Sequence, residues 1–234
     1  MVPIAYSRKW FPAAAIAVTS AVAMAAAALP AGAGCTSNAG RDVDWSGCRK
    51  SNKYLQKMDL SGSNFERTNL SKTNLKDAKL SNARMHKADL TKTILRGADM
   101  SKANLSGVIG MRAYMNGAIL RSANVTKAEL YRADLSAVDL SGADLTGAQL
   151  GRAKLKDANL DRTVARYANL ARTDLRGASL KGTDLTQAYF FRTRVEGVDL
   201  SETKGLTQDQ IALTCGDDRT KLPTGLNSPA SWPC

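Results

Sequence analysis

A chain of 234 residues carries 33 Lys and Arg against 21 Asp and Glu, a single His and 4 Cys, and is 44% apolar but only 6% aromatic. The net charge of +12 excludes an acidic surface imitating nucleic acid, the shortage of rings excludes a bulky aromatic core, and one His argues against His-based metal or triad chemistry. Any core must be built from Leu and Ala.

Near the start, Arg8 and Lys9 precede a chargeless stretch from Trp10 to Gly40. Its apolar segment, Phe11 to Leu29, leads into Pro30 and Ala31-Gly32-Ala33, the basic, apolar and small-residue order of a secretory signal. Residues 1–33 are therefore read as a cleaved signal, with the mature chain beginning at Gly34 in the periplasm or outside the cell. A retained anchor is the rival, but ten of the nineteen residues from 11 to 29 are Ala, which partition weakly into lipid. A lipid-modified Cys35 is a further rival, against which stands Gly32 at the place where bacterial lipoprotein signals hold Leu.

All four cysteines lie after that cleavage site, as two close pairs at opposite ends: Cys35 with Cys48, and Cys215 with Cys234. An even count in an oxidising compartment reads as two disulfides. Three connectivities are open; pairing within each end closes the shortest loops, each worth about 3 kcal/mol through the unfolded chain. A zinc site is the competing reading, and it lacks both CxxC spacing and a nearby His. Residues 34–50 are read as a disulfide-pinned N-terminal cap and first partial coil, with Val43 and Trp45 already in phase with the repeat of residues 51–200.

Those residues, 51–200, hold an internal repeat of five, plain in Ala133-Asp134-Leu135-Ser136-Ala137 and Ala143-Asp144-Leu145-Thr146-Gly147. Of the 30 centres from Leu55 to Leu200, 21 are Leu, and others are Phe65, Met85, Met100, Met115, Val125, Phe190 and Val195. Two residues before 27 of the 30 centres stands Ala (17 sites), Thr (7) or Val (3), the exceptions being Lys53, Met58 and Ser63 at the start. A step of five advances about 140° beyond a full helical turn, so an α-helix would scatter the leucines around its cylinder. On a flat strand an odd step sends successive leucines to opposite faces, unless the backbone turns a corner once per repeat. The chain must coil around its leucines. Gly110 interrupts the centres without changing the phase, which predicts a bulge or a thinned core there.

The charges set the number of sides. Lys72, Lys92, Arg112, Arg132, Arg152, Arg172 and Arg192 recur at a spacing of twenty, each two residues after a centre, and the remaining member of that column is Asn52. Elsewhere the same position is basic at only six of 22 sites. Four quintets per coil is the simplest account.

With the Ala-(Asp/Asn)-Leu-x-x pattern in view, residues 51–200 resemble the pentapeptide-repeat proteins. The resemblance implies an all-β solenoid, a right-handed four-sided β-helix with Leu at the centre and Ala two before it. Residues 201–234 read as a C-terminal cap, within which Gly205 to Trp232, with its Leu-Thr-Gln, Cys-Gly and Lys-Leu-Pro pieces, is similar to the closing segments of exported bacterial members. In it Thr207 with Gln210 forms a capping box that opens a short helix through Ile211 and Leu213 to Cys215, stopped by Gly216, before a tail pinned by Cys234.

Candidate chemistry is sparse. Asp42 to Gly47 looks like the first half of a calcium loop, but Lys53 stands where the bidentate Glu belongs. His86 reads as a surface residue. Asp134, Asp139 and Asp144 fall on different sides of the coil, so paired-carboxylate catalysis has no geometry, while Asp134, Lys154, Asp174 and Arg194 stack with alternating sign as a weak ion-pair ladder. No phosphate loop, nucleophile elbow or zinc helix motif occurs. The expectation is a non-enzymatic protein with no cofactor, no metal and no small-molecule substrate.

The basic column admits two readings. One is a solvated face, partly compensated by Asp89 and Glu129. The other is a docking stripe for an anionic polymer, a membrane surface or a protein partner, aided by Tyr131, Tyr189 and Phe191. At the level of function, an exported scaffold or binding module competes with the family members that imitate DNA and bind DNA gyrase. Export, disulfides and positive charge argue for the first and against nucleic acid as the partner.

Overall fold

The computed structural model describes residues 34–232. The proposed signal segment 1–33, with its rival reading as an anchor, and Cys234 lie outside them. Within them the chain winds so that each outward residue just before a centre pairs in parallel with the residue twenty later, as in Asp44 with Asn64, Tyr114 with Asp134 and Asp134 with Lys154. This register runs from Asp44 to Lys204, missing only the bridge between Ser179 and Asp199 among the described residues, so each coil is four quintets.

One quintet shows why the pattern is stable. The Leu135 N–H donates to Lys154 O in the next coil (2.8 Å) and the Ala137 N–H to Lys156 O (2.8 Å), while the Asp139 N–H donates back to Ala118 O (3.0 Å). The Val138 N–H closes the corner onto Leu135 O (3.2 Å), and the Ser136 N–H is taken by Asp134 Oδ1 (3.2 Å). Every amide has a partner, which burial demands. The Asp or Asn before the centre is thus a turn-closing acceptor; Asp139 and Asp144 act likewise on Ser141 (3.0 Å) and Thr146 (2.9 Å) in separate columns.

Centres and small residues form one buried stack, with Leu60 to Leu80, Met85 and Leu90 fully enclosed. Thr at the small-residue position is buried without penalty, because its hydroxyl donates to the centre carbonyl of the preceding coil: Thr73 to Lys50 O (2.7 Å), Thr173 to Leu150 O (2.9 Å). The predicted bulge at Gly110 is absent: Ile109 pairs with Asp89 and Glu129 in the common register. The core is not thinned either, since Leu130 fills the vacant place; a Cβ on Gly110 would lie 2.7 Å from Leu130 Cδ2.

At the N-terminal end Val43, Trp45 and Cys48 are already core residues, and Cys35 and Cys48 are disulfide-bonded. Lys50 lies across the Trp45 ring, its Nζ 3.6 Å from the ring centroid and donating to Cys35 O (2.7 Å); burial lowers its pKa. At the other end α1 (Gln208–Ala212) has Thr207 as N-cap and the predicted capping box with Gln210. It is shorter than the sequence suggests. Leu213 is its C-cap, the Thr214 hydroxyl donates to Ile211 O (2.8 Å), and Cys215 already pairs with Arg194. Gly216 therefore does not stop the helix; it makes room for Trp232, whose ring carbons would lie 2.6 Å from a Cβ there. Cys215 is disulfide-bonded. These extra residues shift the last register to 21 and then 22, as Arg194 pairs with Cys215 and Asp199 with Lys221.

Candidate functional site

The seven basic residues occupy one edge of the coil and are stacked by backbone bonds. Each N–H donates to the neighbouring coil at the same corner: Lys72 to Thr91 O (2.9 Å), Lys92 to Met111 O (3.1 Å), Arg112 to Tyr131 O (3.0 Å), Arg132 to Gly151 O (3.1 Å), Arg152 to Ala171 O (2.8 Å), Arg172 to Phe191 O (2.8 Å) and, past the register shift, Arg192 to Leu213 O (2.7 Å). All seven side chains are exposed. With neighbouring coils about 4.8 Å apart, the ridge is about 30 Å long.

The backbone at these seven sites is left-handed, with φ from 53 to 60°. An ordinary L-residue loses about 1–2 kcal/mol in that conformation and Gly almost nothing. Nine of the 22 corresponding corners elsewhere between residues 52 and 197 are Gly, yet this edge has none. Charge is kept here against the backbone's preference.

The charges also lack carboxylate partners. Among the described residues the ion pairs involve Arg41, Arg84, Arg121, Lys156, Arg166, Arg176, Arg194, Arg219 and Lys221, and none involves the ridge. The compensation expected from Asp89 and Glu129 is not made as ion pairs; the Asp89 carboxylate instead caps its own turn through the Thr91 N–H (2.9 Å). The expected ladder stacks but does not pair along the stack. Asp174 is held by Arg176 (2.7 Å), whose side-chain hydrogen bonds lower its pKa, and Arg194 turns to Glu196 (2.9 Å). His86 is half-buried rather than free in solvent, with Nδ1 2.8 Å from Ser106 Oγ.

Aromatic residues border the ridge in two places. Phe191 lies between Arg172 and Arg192, 5.9 and 5.6 Å from its ring centroid, and stacks on Tyr189 with centroids 6.4 Å apart. Further along, Thr91, Lys92, Met111, Arg112, Tyr131 and Arg132 line a surface groove of about 370 Å³. Sequence reasoning anticipated Tyr131 but missed Met111, which is 42% exposed, and its neighbours Ile109 and Tyr114 at 38% and 41%. Their signal was available as large apolar residues standing one place before or after a centre, out of the inward phase.

The Pentapeptide repeats family model matches in eight copies, over residues 54–86, 74–109, 98–136, 111–147, 143–182 and 168–204. The chain belongs to this family. Its members of known structure are right-handed four-sided β-helices, the architecture to which the twenty-residue register corresponds. Among solved pentapeptide-repeat structures, HetL, involved in heterocyst differentiation regulation in the cyanobacterium Nostoc sp. strain PCC 7120, is 30% identical over 79% of this chain and 89% of its own, with a TM-score of 0.31. QnrB1, a plasmid-mediated fluoroquinolone resistance protein, is 13% identical over 80% of this chain and 93% of its own, with a TM-score of 0.64, a likeness of fold. A protein of the Arabidopsis thaliana thylakoid lumen is 28% identical over 54% and 80%, with a TM-score of 0.21. The comparison with curated proteins returned no match.

Proposed function

We propose that this pentapeptide-repeat protein is an exported, non-enzymatic binding scaffold that docks an anionic partner along the ridge from Lys72 to Arg192. The observation that carries this reading is the run of seven exposed, unpaired cations in left-handed backbone, at an edge without a single Gly. Mutual repulsion and backbone strain both oppose such a column, and an anionic partner removes the first. The Cys35–Cys48 disulfide supports an oxidising compartment. On this reading residues 34–50 and 201–234 terminate the stack, the first with Trp45 and the disulfide, the second with α1 across the final coil, where the Gln210 amide donates to Leu185 O (3.2 Å) and Ala188 O (2.7 Å). The alternative, mimicry of nucleic acid toward a topoisomerase, draws no support from a positive ridge.

The test is salt-dependent binding of the full chain to polyanions at low ionic strength. Changing Arg112, Arg132, Arg152 and Arg172 to Gln should abolish binding, whereas changing Lys57, Lys87, Lys102 and Lys127, which removes the same charge from other corners, should not. Equal loss from both would reduce the ridge to net charge, and no binding by the parent would leave a structural role. N-terminal sequencing of the native protein checks the compartment; Gly34 is the expected first residue.

A further inference from the structure

The groove at the middle of the ridge is more specific than a row of charges. Lys92, Arg112 and Arg132 rim it on three successive coils, and Met111 with Tyr131 forms an apolar wall. Tyr131 is held in place on two sides. Its hydroxyl donates to Gln149 Oε1 (2.9 Å), which also accepts from Asn169 Nδ2 (3.2 Å), while the Gln149 amide donates to Gly147 O (3.2 Å). The ring edge rests over Gly151, where a Cβ would lie 2.8 Å from Tyr131 Cε1. Gly151 is not in the left-handed region, so the backbone does not require a glycine there; the ring does. An exposed aromatic fixed in this way loses little freedom when a partner covers it.

The geometry limits the occupant. The corner amides of Lys92, Arg112 and Arg132 are all committed to the next coil, so no peptide can add as a strand; whatever binds is held by side chains. Charges along the ridge repeat about every 4.8 Å, whereas an extended peptide presents same-face side chains about every 6.8 Å and one strand of B-DNA a phosphate about every 3.4 Å of axis, so neither keeps step with it. A chain of pyranose rings joined through single oxygens advances by about one coil per sugar and turns over between sugars, so one face of it repeats about every two coils. A uronic acid adds one planar carboxylate per ring, which matches the fork of an Arg, and offers an apolar C–H face to an aromatic ring. A phosphatidylglycerol bilayer offers no such ring to enter the groove.

We infer that the groove over Met111 and Tyr131 is a subsite for one sugar ring of a linear polyuronate, whose carboxylates on the protein-facing side meet Arg and Lys on alternate coils. This rests on the ridge being a polyanion-docking edge and names the class of polyanion. The experiment is calorimetric titration of the full chain with an oligogalacturonate long enough to span the ridge, beside a poly-glutamate of equal charge and anionic phosphatidylglycerol vesicles at the same salt. The oligogalacturonate should bind most tightly, and Tyr131→Ala should weaken it by about fivefold while leaving poly-glutamate binding unchanged. Tyr167→Ala, which removes an exposed ring from another corner, should alter neither. Thermal unfolding of both variants verifies that the coil is intact. Equal binding of the two polymers with no effect of Tyr131→Ala, or tighter binding of poly-glutamate or vesicles, overturns the sugar subsite and leaves the ridge reading standing. Failure of every polyanion to bind overturns both.

Discussion

Replacing Arg112, Arg132, Arg152 and Arg172 together by Asn should stabilise the protein. The φ values at these positions are 56, 56, 60 and 58°, and an ordinary L-residue loses about 1–2 kcal/mol there, of which Asn recovers a part because its short side chain tolerates the left-handed region. Recovering about 0.5–1 kcal/mol at each site amounts to about 2–4 kcal/mol. The four sites form three neighbouring pairs of like charge; at one coil spacing in water each pair repels by a little under about 1 kcal/mol, and salt screens this further. Against the gain stands loss of the Arg172 contact with Phe191, worth about 0.5–1 kcal/mol at an exposed site. With the relieved repulsion added and the lost contact subtracted, the net expectation is a gain of about 3–6 kcal/mol at low salt, falling toward about 1–4 kcal/mol as physiological salt screens the pairs. Urea denaturation followed by circular dichroism, with parent and variant compared at both ionic strengths, measures it. A variant less stable than the parent at low salt would refute the argument that the ridge is kept at a cost in stability.

Leu135→Lys should prevent folding, because it places a charge in a dry column where Leu135 is 1% exposed. Ser136→Lys, one residue later, should be tolerated, since Lys156 and Arg176 already occupy that place in the next two coils; circular dichroism of the two variants separates the cases, and equal damage contradicts the coil. Acid should unfold the C-terminal coils first. Asp184, Asp199 and Asp217 have pKa values lowered to about 2, led by hydrogen bonds from the side chains of Thr186, Ser201 and Arg219 respectively. Folded values below the unfolded 3.8 mean that this stabilisation is present above about pH 4 and is lost as pH falls toward 2. Hydrogen exchange along a pH series should show protection around residues 184–221 falling within that window, and Asp199→Asn should flatten the fall; an unchanged profile contradicts the assignment.

Much of this architecture is local in origin, and so was legible in the residues alone. A small residue, an Asp or Asn, and a Leu in that order specify an inward pair and a turn-closing acceptor within five positions, and stacking at twenty results once each quintet is one side. That is why the core column, the partial coil at Val43 and Trp45, and the basic edge could be read without coordinates. Where a neighbouring coil decides, the sequence was silent. Leu130, twenty residues on, fills the space at Gly110; Gln149 and Gly151 position Tyr131 from one coil away. The absence of carboxylate partners at the ridge is likewise decided by the folded coils, where the Asp89 carboxylate is consumed by its own turn. The C-terminal end departs furthest from expectation for the same reason. Beyond Lys204 the period is lost, α1 ends at Ala212, and the fit of Trp232 against Gly216 is set by packing between segments that share no repeat.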